Sequence, residues 1–522
     1  MKHCPACQRS YTDESLNFCR HDRTALVSAP SVSDSVETVD LSDPSVRSKL
    51  LTHRIQSPAP SIAVLPFVHM SADPDNEYFC DGLAEELLNA LAKVEGLKVA
   101  ARTSAFSFKG KDAKIGEIGQ ALNVNTVLEG SVRKSGERLR ITAQLINVSD
   151  GYHLWSERYD RLMKDVFDIQ DEITLAIVEA LKVTLLGGEK TAALMRYTDS
   201  IDAYDSYLKG RYYLNKSTVE GWNRAIEFFE EAARIEPSYA PAYAGTALCW
   251  TALWYYGVLP PQEVVPKWKA AAHRALEIDS NLAVAHLSLA NIRFLYEWDW
   301  EAAERGFKRA IELNPNSADA RWFYGSFLAS RGRHDQAIIE ARHALELDPL
   351  SLMVNIQVGG IYLLANSLDN ALTQARKMIE MEPDFYGAYW LLGGVYMTRG
   401  MYKEAIDAYQ ETLARGGNMA LSILGWTYGV SERRSEALEV LDQLLEMRKN
   451  QYVSAFCIAR VYMGLGDHDL AIEWLEKAYE DREGEIVFLN AMSKVGIGGM
   501  MADSVRKDAR FLDLMRRAGL MD

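Results

Sequence analysis

The sequence has no apolar segment of the length that a membrane-spanning helix needs. A span requires about 18 to 20 consecutive apolar residues, whereas the longest apolar runs, such as residues 61–68, have the length of a β-strand. The first residues, Met1 to Cys7, contain neither an apolar run nor a small-residue cleavage site. These absences predict a cytoplasmic protein without a membrane span or a secretory signal.

Cysteine and positive charge are both scarce. The 522 residues include six cysteines, and three of them, Cys4, Cys7 and Cys19, lie close together near the amino terminus. This distribution is unlike that of a disulfide framework. Lys and Arg number 57 against 72 Asp and Glu, so the formal net charge is −15. A general nucleic-acid binder carries a basic surface, and this charge balance argues against that class of protein.

Sequence signatures of nucleotide-dependent enzymes are also missing. The chain has no phosphate-binding P-loop and no kinase glycine loop followed by its lysine-bearing strand. The 60 residues before the first strand-like segment are too few for a kinase or cyclase domain. We therefore expect a protein that is not an enzyme.

What the chain does have is the composition of an ordinary globular protein and the length for two to four domains. Hydrophobic residues make up 48%, aromatic residues 10% and charged residues 25%. Residues 27–60 are rich in Ser and Pro and show no helix or strand period. They are predicted to be a flexible linker that tethers a head, residues 1–26, to the rest of the chain.

Residues 61–190 alternate between strand-like and helix-like patterns, which predicts a compact α/β domain. Ile62 to Phe67 is a predicted buried strand. Residues 81–91 form a predicted amphipathic helix with Asp81 as its N-cap. Residues 127–133 and 139–148 alternate as the two strands of a predicted hairpin, and a long helix is predicted from Val166 to Leu186.

Several sequence blocks in this domain carry a family resemblance. They are Ser61–Phe67, Glu77–Leu87, Ala100–Ser104, Leu128–Arg133 and His153–Tyr159. Together they resemble the TolB amino-terminal-like family, also called FlgO-like. The resemblance implies an α/β domain with a recognition or assembly role, and it brings no catalytic residues. Bacterial members of the family often join this domain to tetratricopeptide repeats, with a kinase, a nucleotide cyclase or a winged-helix module in front.

From about residue 200 the strand patterns stop and a period of 34 residues appears. The positions that recur at this spacing are Pro315, Pro349 and Pro383, then Gly325, Gly359 and Gly393, then Ala337, Ala371 and Ala405. These marks resemble the tetratricopeptide repeat, in which small residues lie where the two helices of a unit cross. We predict an all-α superhelical solenoid of about eight units over residues 200–482, followed by a helical cap over residues 483–522.

The head contains a candidate metal site. Cys4, Cys7 and Cys19 are three candidate ligands, and the fourth is either Asp22 or His21. Twenty-six residues cannot bury a sufficient core, and three thiolates favour Zn²⁺. Asp22 follows Cys19 at the spacing that separates Cys4 from Cys7, and the segment resembles short bacterial zinc-ribbon heads in which Asp often replaces a cysteine. His21 is the softer ligand. We predict one structural zinc per chain, with an unmetallated remnant as the alternative.

The repeat resemblance also implies which side chains line the concave groove. The first helix of each unit faces the groove, and positions three before and one after the small residue point into it. These positions hold Trp322, Ser326, Ile356, Gly360, Trp390, Gly394, Ser422 and Trp426. Aromatic anchors beside small residues suit an apolar helix or an extended peptide. The alternative is that the aromatic residues belong to the core.

These features favour a non-enzymatic scaffold or adaptor in bacterial signalling, regulation or assembly, with a protein partner in the repeat groove. One alternative is a transcriptional or nucleic-acid regulator that acts through the zinc ribbon. Residues 1–60 have seven basic and seven acidic residues, and residues 61–190 have 15 basic and 20 acidic ones, which disfavours that alternative. A third hypothesis is a small-ligand or enzymatic site in the α/β domain that the sequence does not reveal.

Overall fold

The structure is a computed structural model of the chain. It describes residues 2–3, 10–11, 27–28, 60–70, 77–94, 96–181, 183, 197–494 and 503–521. Two compact units make up the chain, Met1–Pro58 and Ala59–Asp522. The described residues of the first unit are the strands β1 (Lys2–His3), β2 (Ser10–Tyr11) and β3 (Val27–Ser28). They form an antiparallel sheet in the order β2-β1-β3.

The second unit begins with a mixed β-sheet. Its strands are β4 (Ser61–Val64), β5 (Val68–His69), β6 (Lys98–Val99), β7 (Thr126–Ser135), β8 (Arg138–Asn147) and β9 (His153–Leu162). The order is β6-β4-β7-β8-β9, with β5 also paired to β7. The β7–β8 register runs from Thr126 opposite Asn147 to Ser135 opposite Arg138. The hairpin predicted from the alternating pattern is therefore confirmed.

Four helices in the described part of the chain accompany this sheet. They are α1 (Glu77–Leu91), α2 (Arg102–Phe106), α3 (Ile115–Leu122) and α4 (Val166–Ala180). Helix α1 begins before the predicted start, so Asp81 lies inside it and is not its N-cap. The buried Asp81 carboxylate instead accepts hydrogen bonds from Lys109 Nζ at 2.6 and 2.8 Å. The N-cap prediction was wrong because a tertiary ion pair, and not a helix terminus, accounts for this carboxylate.

Apolar side chains cover both faces of the sheet. On one face, Leu83 and Leu87 of α1 and Ile173 and Ile177 of α4 are fully buried in one cluster. Each pair is spaced by four residues, which places its members on one side of a helix. On the other face, α3 contributes Ile118 and neighbouring residues to a smaller cluster. The region from residue 61 to residue 162 is thus a small α/β layer structure.

Sixteen helices between residues 201 and 480 form eight consecutive pairs. They are α5 (Ile201–Leu214), α6 (Val219–Ile235), α7 (Ala240–Tyr255), α8 (Pro261–Ile278), α9 (Ala283–Ile292), α10 (Trp300–Leu313), α11 (Ala318–Ser330), α12 (His334–Leu347), α13 (Leu352–Leu364), α14 (Leu368–Met381), α15 (Tyr386–Thr398), α16 (Tyr402–Ala414), α17 (Ala420–Val430), α18 (Arg434–Arg448), α19 (Ala455–Leu465) and α20 (His468–Glu480). We number the pairs as units one to eight. The described C-terminal helices are α21 (Leu489–Lys494), α22 (Asp503–Arg506) and α23 (Ala509–Arg517).

The recurring glycines lie where neighbouring helices touch. A Cβ atom on Gly393 would collide with the ring of Tyr409, and one on Gly359 would collide with the side chain of Leu391. Both glycines lie in the first helix of their unit. The 34-residue recurrence of small residues therefore reflects the close approach of helices, as the sequence predicted.

The array closes on itself, because residues after unit eight contact units two to four. Gln262 Nε2 donates a hydrogen bond to the Asp481 carbonyl at 2.9 Å, and Arg331 Nη1 donates one to the Gly519 carbonyl at 3.0 Å. The rings of Phe294 and Phe488 lie 5.9 Å apart in an edge-to-face arrangement. The described residues of the C-terminal segment, 483–494 and 503–520, are thus packed against the array.

None of the helices in the described part of the chain has both the length and the apolar character of a membrane span.

Candidate functional site

The α/β domain is attached to the repeat array through loops that join successive units. The carboxylate of Asp348, between units four and five, is 4% exposed. Its Oδ1 accepts hydrogen bonds from the backbone N–H of Ser104 at 3.0 Å and from the Ser104 hydroxyl at 2.5 Å. The same hydroxyl oxygen accepts from the backbone N–H of Leu350 at 2.8 Å. Buried polar groups of both parts are therefore satisfied only when the two are docked.

The loop between units three and four makes a second attachment. The side chain of Asn316 donates from Nδ2 to the carbonyls of Ala92 and Leu97 at 3.2 and 3.4 Å. Its Oδ1 accepts from the backbone N–H of Val99 at 3.4 Å. The side-chain amide of Asn316 is thus hydrogen-bonded to the backbone of strand β6 and of the segment that leads into it.

A charge network joins α1 to unit one. Glu85 is 3% exposed and pairs with two guanidinium groups, those of Arg102 at 3.0 Å and of Arg211. Asn215 Nδ2 lies 3.5 Å from Glu85 Oε2. Burial lowers the pKa of both arginines to about 10, which leaves them charged near neutral pH. Because a buried charge needs a partner, Glu85 couples the α/β domain to the first helix of the array.

A cavity of about 220 Å³ lies between the α/β domain and the first three units. Its walls come from α1, α4, α5 and α7 and from the loops that follow α8 and α10. Four tyrosines contribute to them: Tyr197, Tyr204, Tyr207 and Tyr239. Burial raises the pKa of Tyr204, Tyr207 and Tyr239 well above the usual value, so these phenols stay neutral.

Four charged side chains share this cavity with the tyrosines: Glu86, Lys93, Asp171 and Arg211. Burial raises the pKa of the Glu86 carboxyl and lowers the pKa of the Lys93 ammonium group. Glu86 accepts one hydrogen bond, from Asn89 Nδ2 at 3.3 Å. Arg211 reaches the cavity wall from α5, and its buried Nε has no hydrogen-bond partner among the described residues. The cavity therefore combines ring surfaces with charges of both signs.

Replacing Asp348 by asparagine should remove a pH dependence of stability. Burial raises the pKa of Asp348 from 3.8 to about 6, so the folded state favours the protonated carboxyl. The stability of the wild type should fall as pH rises from about 4 to about 6, by about 3 kcal/mol for two pKa units. The amide side chain introduced by D348N stays neutral and can still accept from Ser104. The stability of D348N relative to wild type should thus rise by that amount between pH 4 and pH 7.

Denaturant unfolding of both proteins across this pH range measures the difference. Asp407→Asn is the matched control, because Asp407 is exposed on α16 and its removal should leave the pH profile of the wild type unchanged. Parallel stability profiles for D348N and wild type would contradict a raised pKa of the Asp348 carboxyl in the folded protein.

Most of the predicted groove aromatics are buried in the array. Trp322 and Ile356 are each 5% exposed. The ring of Trp322 packs edge-to-face on Tyr255 of unit two at 6.4 Å, and Gln357 Nε2 donates a hydrogen bond to the Tyr255 hydroxyl. Unit two thus covers the Trp322 position of unit four, and the Ile356 side chain of unit five packs close to Gly387 of unit six. The neighbouring Ser326 is half-buried.

Trp426 is also a core residue, with 0% exposure. Its backbone and indole ring lie against Gly464 of α19, where a Cβ atom would approach Trp426 Cδ1 to 2.9 Å. Ser422, the other groove position of this unit, is 2% exposed and accepts a hydrogen bond from Arg460 at 2.8 Å. Trp426 therefore belongs to the packing between α17 and the helix of the next unit, which is the core position that the sequence left as the alternative.

Three of the predicted groove residues lie together at a more open surface. Trp390, Gly360 and Gly394 are half-buried, and a Cβ atom on Gly360 would have only Trp390 Cη2 nearby, at 4.0 Å. Tyr386 is half-buried beside them and Tyr256 is 43% exposed. The phenols of Tyr256 and Tyr386 lie close enough to interact electrostatically. We call these five residues the Trp390 patch.

The predicted zinc ligands, Cys4, Cys7, Cys19, His21 and Asp22, lie outside the described residues. The zinc site therefore stays a prediction, as does the cytoplasmic location. Within the part of the chain that the structure describes, no group of three or more His, Cys, Asp and Glu side chains is arranged to hold a metal ion.

Two parts of the chain match known families. Residues 57–176 match the family described as HilA/YgeH-like transcriptional regulator, second domain. Residues 293–351, 362–420 and 424–486 match the tetratricopeptide repeat, so the repeats predicted from the 34-residue period are confirmed. The α/β region is thus similar to a regulator domain, and the comparison returns this family instead of the TolB amino-terminal-like family inferred from the sequence blocks.

Curated relatives are similar over less than half of the chain. A Rhizobium meliloti (strain 1021) protein named "Putative adenylate cyclase 3" is 37% identical over 247 residues, which are 45% of this chain and 40% of the relative. The transcriptional regulator HilA of Salmonella typhimurium (strain LT2) is 23% identical over 224 residues, 42% of this chain and 39% of the relative. The chain spans about two fifths of the length of these relatives.

Among solved structures, the chain is similar to YrrB, described as a TPR protein with an unusual peptide-binding site. YrrB is 20% identical, and the similarity covers 37% of this chain and 94% of YrrB with a TM-score of 0.27.

Proposed function

We propose that this protein is a non-enzymatic scaffold in bacterial regulation, which holds a protein partner on its repeat array. The observation that carries the proposal is the run of eight helix pairs, an architecture that presents extended surfaces to other proteins. The match of residues 57–176 to a regulator domain supports a regulatory setting. The similarity to the relative named "Putative adenylate cyclase 3" covers 40% of that relative. We assign no catalytic residue to this chain from that similarity.

The Trp390 patch is the proposed partner site. It offers aromatic side chains beside Gly360, which has open space at its Cβ position, so the backbone of a partner can approach closely there. Tryptophan and tyrosine are the residue types that most often supply binding energy at protein interfaces. The proposed occupant is an apolar protein segment, either a helix or an extended strand.

Introducing a carboxylate into this patch should abolish partner binding without unfolding the array. Gly360 lies inside α13 with open space around its Cβ position, so Gly360→Glu adds no clash and replaces a poor helix former. A carboxylate buried against an apolar partner would have no counter-charge. We expect G360E to lose at least about tenfold in affinity for the partner recovered from native lysate.

Gly116→Glu provides the matched control. Gly116 is an exposed residue of α3, and a Cβ atom there meets nothing within 4 Å. Affinity purification followed by mass spectrometry compares the two variants with the wild type. Retention of every wild-type partner by G360E would contradict the proposed site.

The transcriptional alternative has one observation in its favour, the match to the second domain of a transcriptional regulator. That match covers residues whose acidic side chains outnumber the basic ones. An acidic domain suits contacts with proteins better than contacts with phosphate backbones. We therefore propose that any role in transcription is exerted through protein partners.

A further inference from the structure

The cavity between the α/β domain and units one to three contains an unusual pair of opposite charges. Glu86 on α1 and Lys93, which follows the same helix, both line it. They influence each other electrostatically, but they form no ion pair with each other or with any other residue of the described ranges. Each charge is therefore half-buried without a counter-charge in contact, a costly arrangement unless a ligand supplies one.

Hydrogen-bonding groups around these charges are also unused. The hydroxyls of Tyr207 and Tyr239 have no hydrogen-bond partner within the described part of the chain, although their rings pack together at 5.2 Å. Other polar groups of the wall are occupied: Gln170 Nε2 donates to the Tyr204 hydroxyl at 2.5 Å, and the Tyr197 hydroxyl donates to Asp279 at 3.0 Å. The unused groups thus include two hydroxyl donors, the Lys93 ammonium and Arg211 Nε.

We propose that this cavity binds a free α-amino acid with an apolar or aromatic side chain. The amino acid's carboxylate would pair with Lys93, its ammonium group would pair with Glu86, and its side chain would lie against the tyrosine rings. The cavity volume of about 220 Å³ exceeds the roughly 150 Å³ that suffices for benzene. The difference leaves room for the α-carbon and its two charged groups.

Ligands of a single charge fit the same walls less well. A simple cation would meet Lys93 and Arg211, and Lys93 Nζ already lies 5.3 Å from the centre of the Tyr197 ring, where a cation would bind. A simple anion would satisfy Lys93 but would meet the carboxylate of Glu86. A ligand that carries both charges offers a counter-charge to Lys93 and to Glu86, and the Asp171 carboxylate on the same wall adds to the attraction for its ammonium group.

The location of the cavity gives binding a structural consequence. Glu86 and Lys93 belong to the α/β domain, whereas Tyr207, Tyr239 and Arg211 belong to units one and two. A bound amino acid would contact both parts and would favour the docked arrangement over an undocked one. This inference concerns a different surface from the Trp390 patch, so either proposal can fail without the other.

Calorimetric titration of the full-length protein tests the proposal. The probes are L-phenylalanine, L-tyrosine and L-leucine. Two further probes, 3-phenylpropanoate and phenethylamine, each lack one of the two charges of L-phenylalanine. At least one of the three amino acids should bind saturably with one site per chain. Each single-charge analogue should bind at least about tenfold more weakly than L-phenylalanine, since a charged hydrogen bond is lost.

Variants then assign the two charges. Lys93→Gln should weaken amino-acid binding at least about tenfold but leave phenethylamine binding unchanged. Glu86→Gln should also weaken amino-acid binding at least about tenfold, but it should leave 3-phenylpropanoate binding unchanged. Lys111→Gln, at an exposed lysine of the same domain, should bind as the wild type does. Melting curves without ligand show whether the glutamine variants are folded. Absence of saturable binding by all three amino acids, or equal binding of 3-phenylpropanoate and L-phenylalanine, would overturn the proposal.

Discussion

Replacing Glu483 by alanine is expected to unfold the last repeat unit. The Glu483 side chain is 1% exposed and lies at the amino end of α19. Its carboxylate accepts hydrogen bonds from the backbone N–H groups of Ala455 and Phe456 at 2.7 and 2.9 Å, and from the Ser454 hydroxyl at 2.6 Å. Removing it leaves these buried donors unsatisfied, which should cost about 3 to 5 kcal/mol.

The damage should remain local, because each unit of a repeat array depends mainly on its neighbours. We expect hydrogen exchange to rise in α19, α20 and the C-terminal segment, while α5 to α16 stay protected. Glu480→Ala is the control, since Glu480 is exposed at the end of α20. If α19 of E483A keeps the wild-type protection from hydrogen exchange, the Glu483 carboxylate does not stabilise the amino end of α19 as the structure indicates.

Replacing Glu85 by alanine should weaken the docking of the α/β domain. The change leaves the guanidinium groups of Arg102 and Arg211 without their shared carboxylate, and both side chains are about 20% exposed. Breaking a buried ion pair from one side costs about 3 to 5 kcal/mol. Exchange should therefore increase at the facing surfaces of α1 and α5.

Two further variants separate this docking role from a general loss of charge. Glu85→Gln keeps an acceptor oxygen without the charge and should give an intermediate loss of stability. Glu137→Ala removes an exposed carboxylate in the β7–β8 turn and should have no effect. If E85A melts at the wild-type temperature, the network does not hold the two parts together.

The features that the sequence could predict are those set by local spacing. The 34-residue recurrence of Gly325, Gly359 and Gly393 identified the helix pairs because close helix contacts need small residues at a fixed interval. Strict alternation of apolar residues in β8 identified the hairpin because successive side chains of a strand point to opposite faces.

Features set by distant parts of the chain could not be predicted in this way. The groove assignment assumed an open array, but Tyr255 covers Trp322 and residues of the C-terminal segment contact units two to four. The cavity likewise joins Lys93 to Tyr239, which are far apart in sequence. No local sequence pattern predicts the covered groove positions or the cavity, because both arise from how the array curves and where the α/β domain docks on it.

Site-specific photocrosslinking in the native host tests the scaffold proposal most directly. A photoreactive amino acid replaces Tyr256, the most exposed aromatic residue of the Trp390 patch, and in a parallel strain it replaces Ile339, which is 51% exposed on α12. We expect position 256 to capture a discrete partner protein, with the adduct lost when Gly360→Glu is added and absent from position 339. No protein adduct at position 256, or the same adducts from both positions, would contradict the proposal that the repeat array holds a partner at this patch.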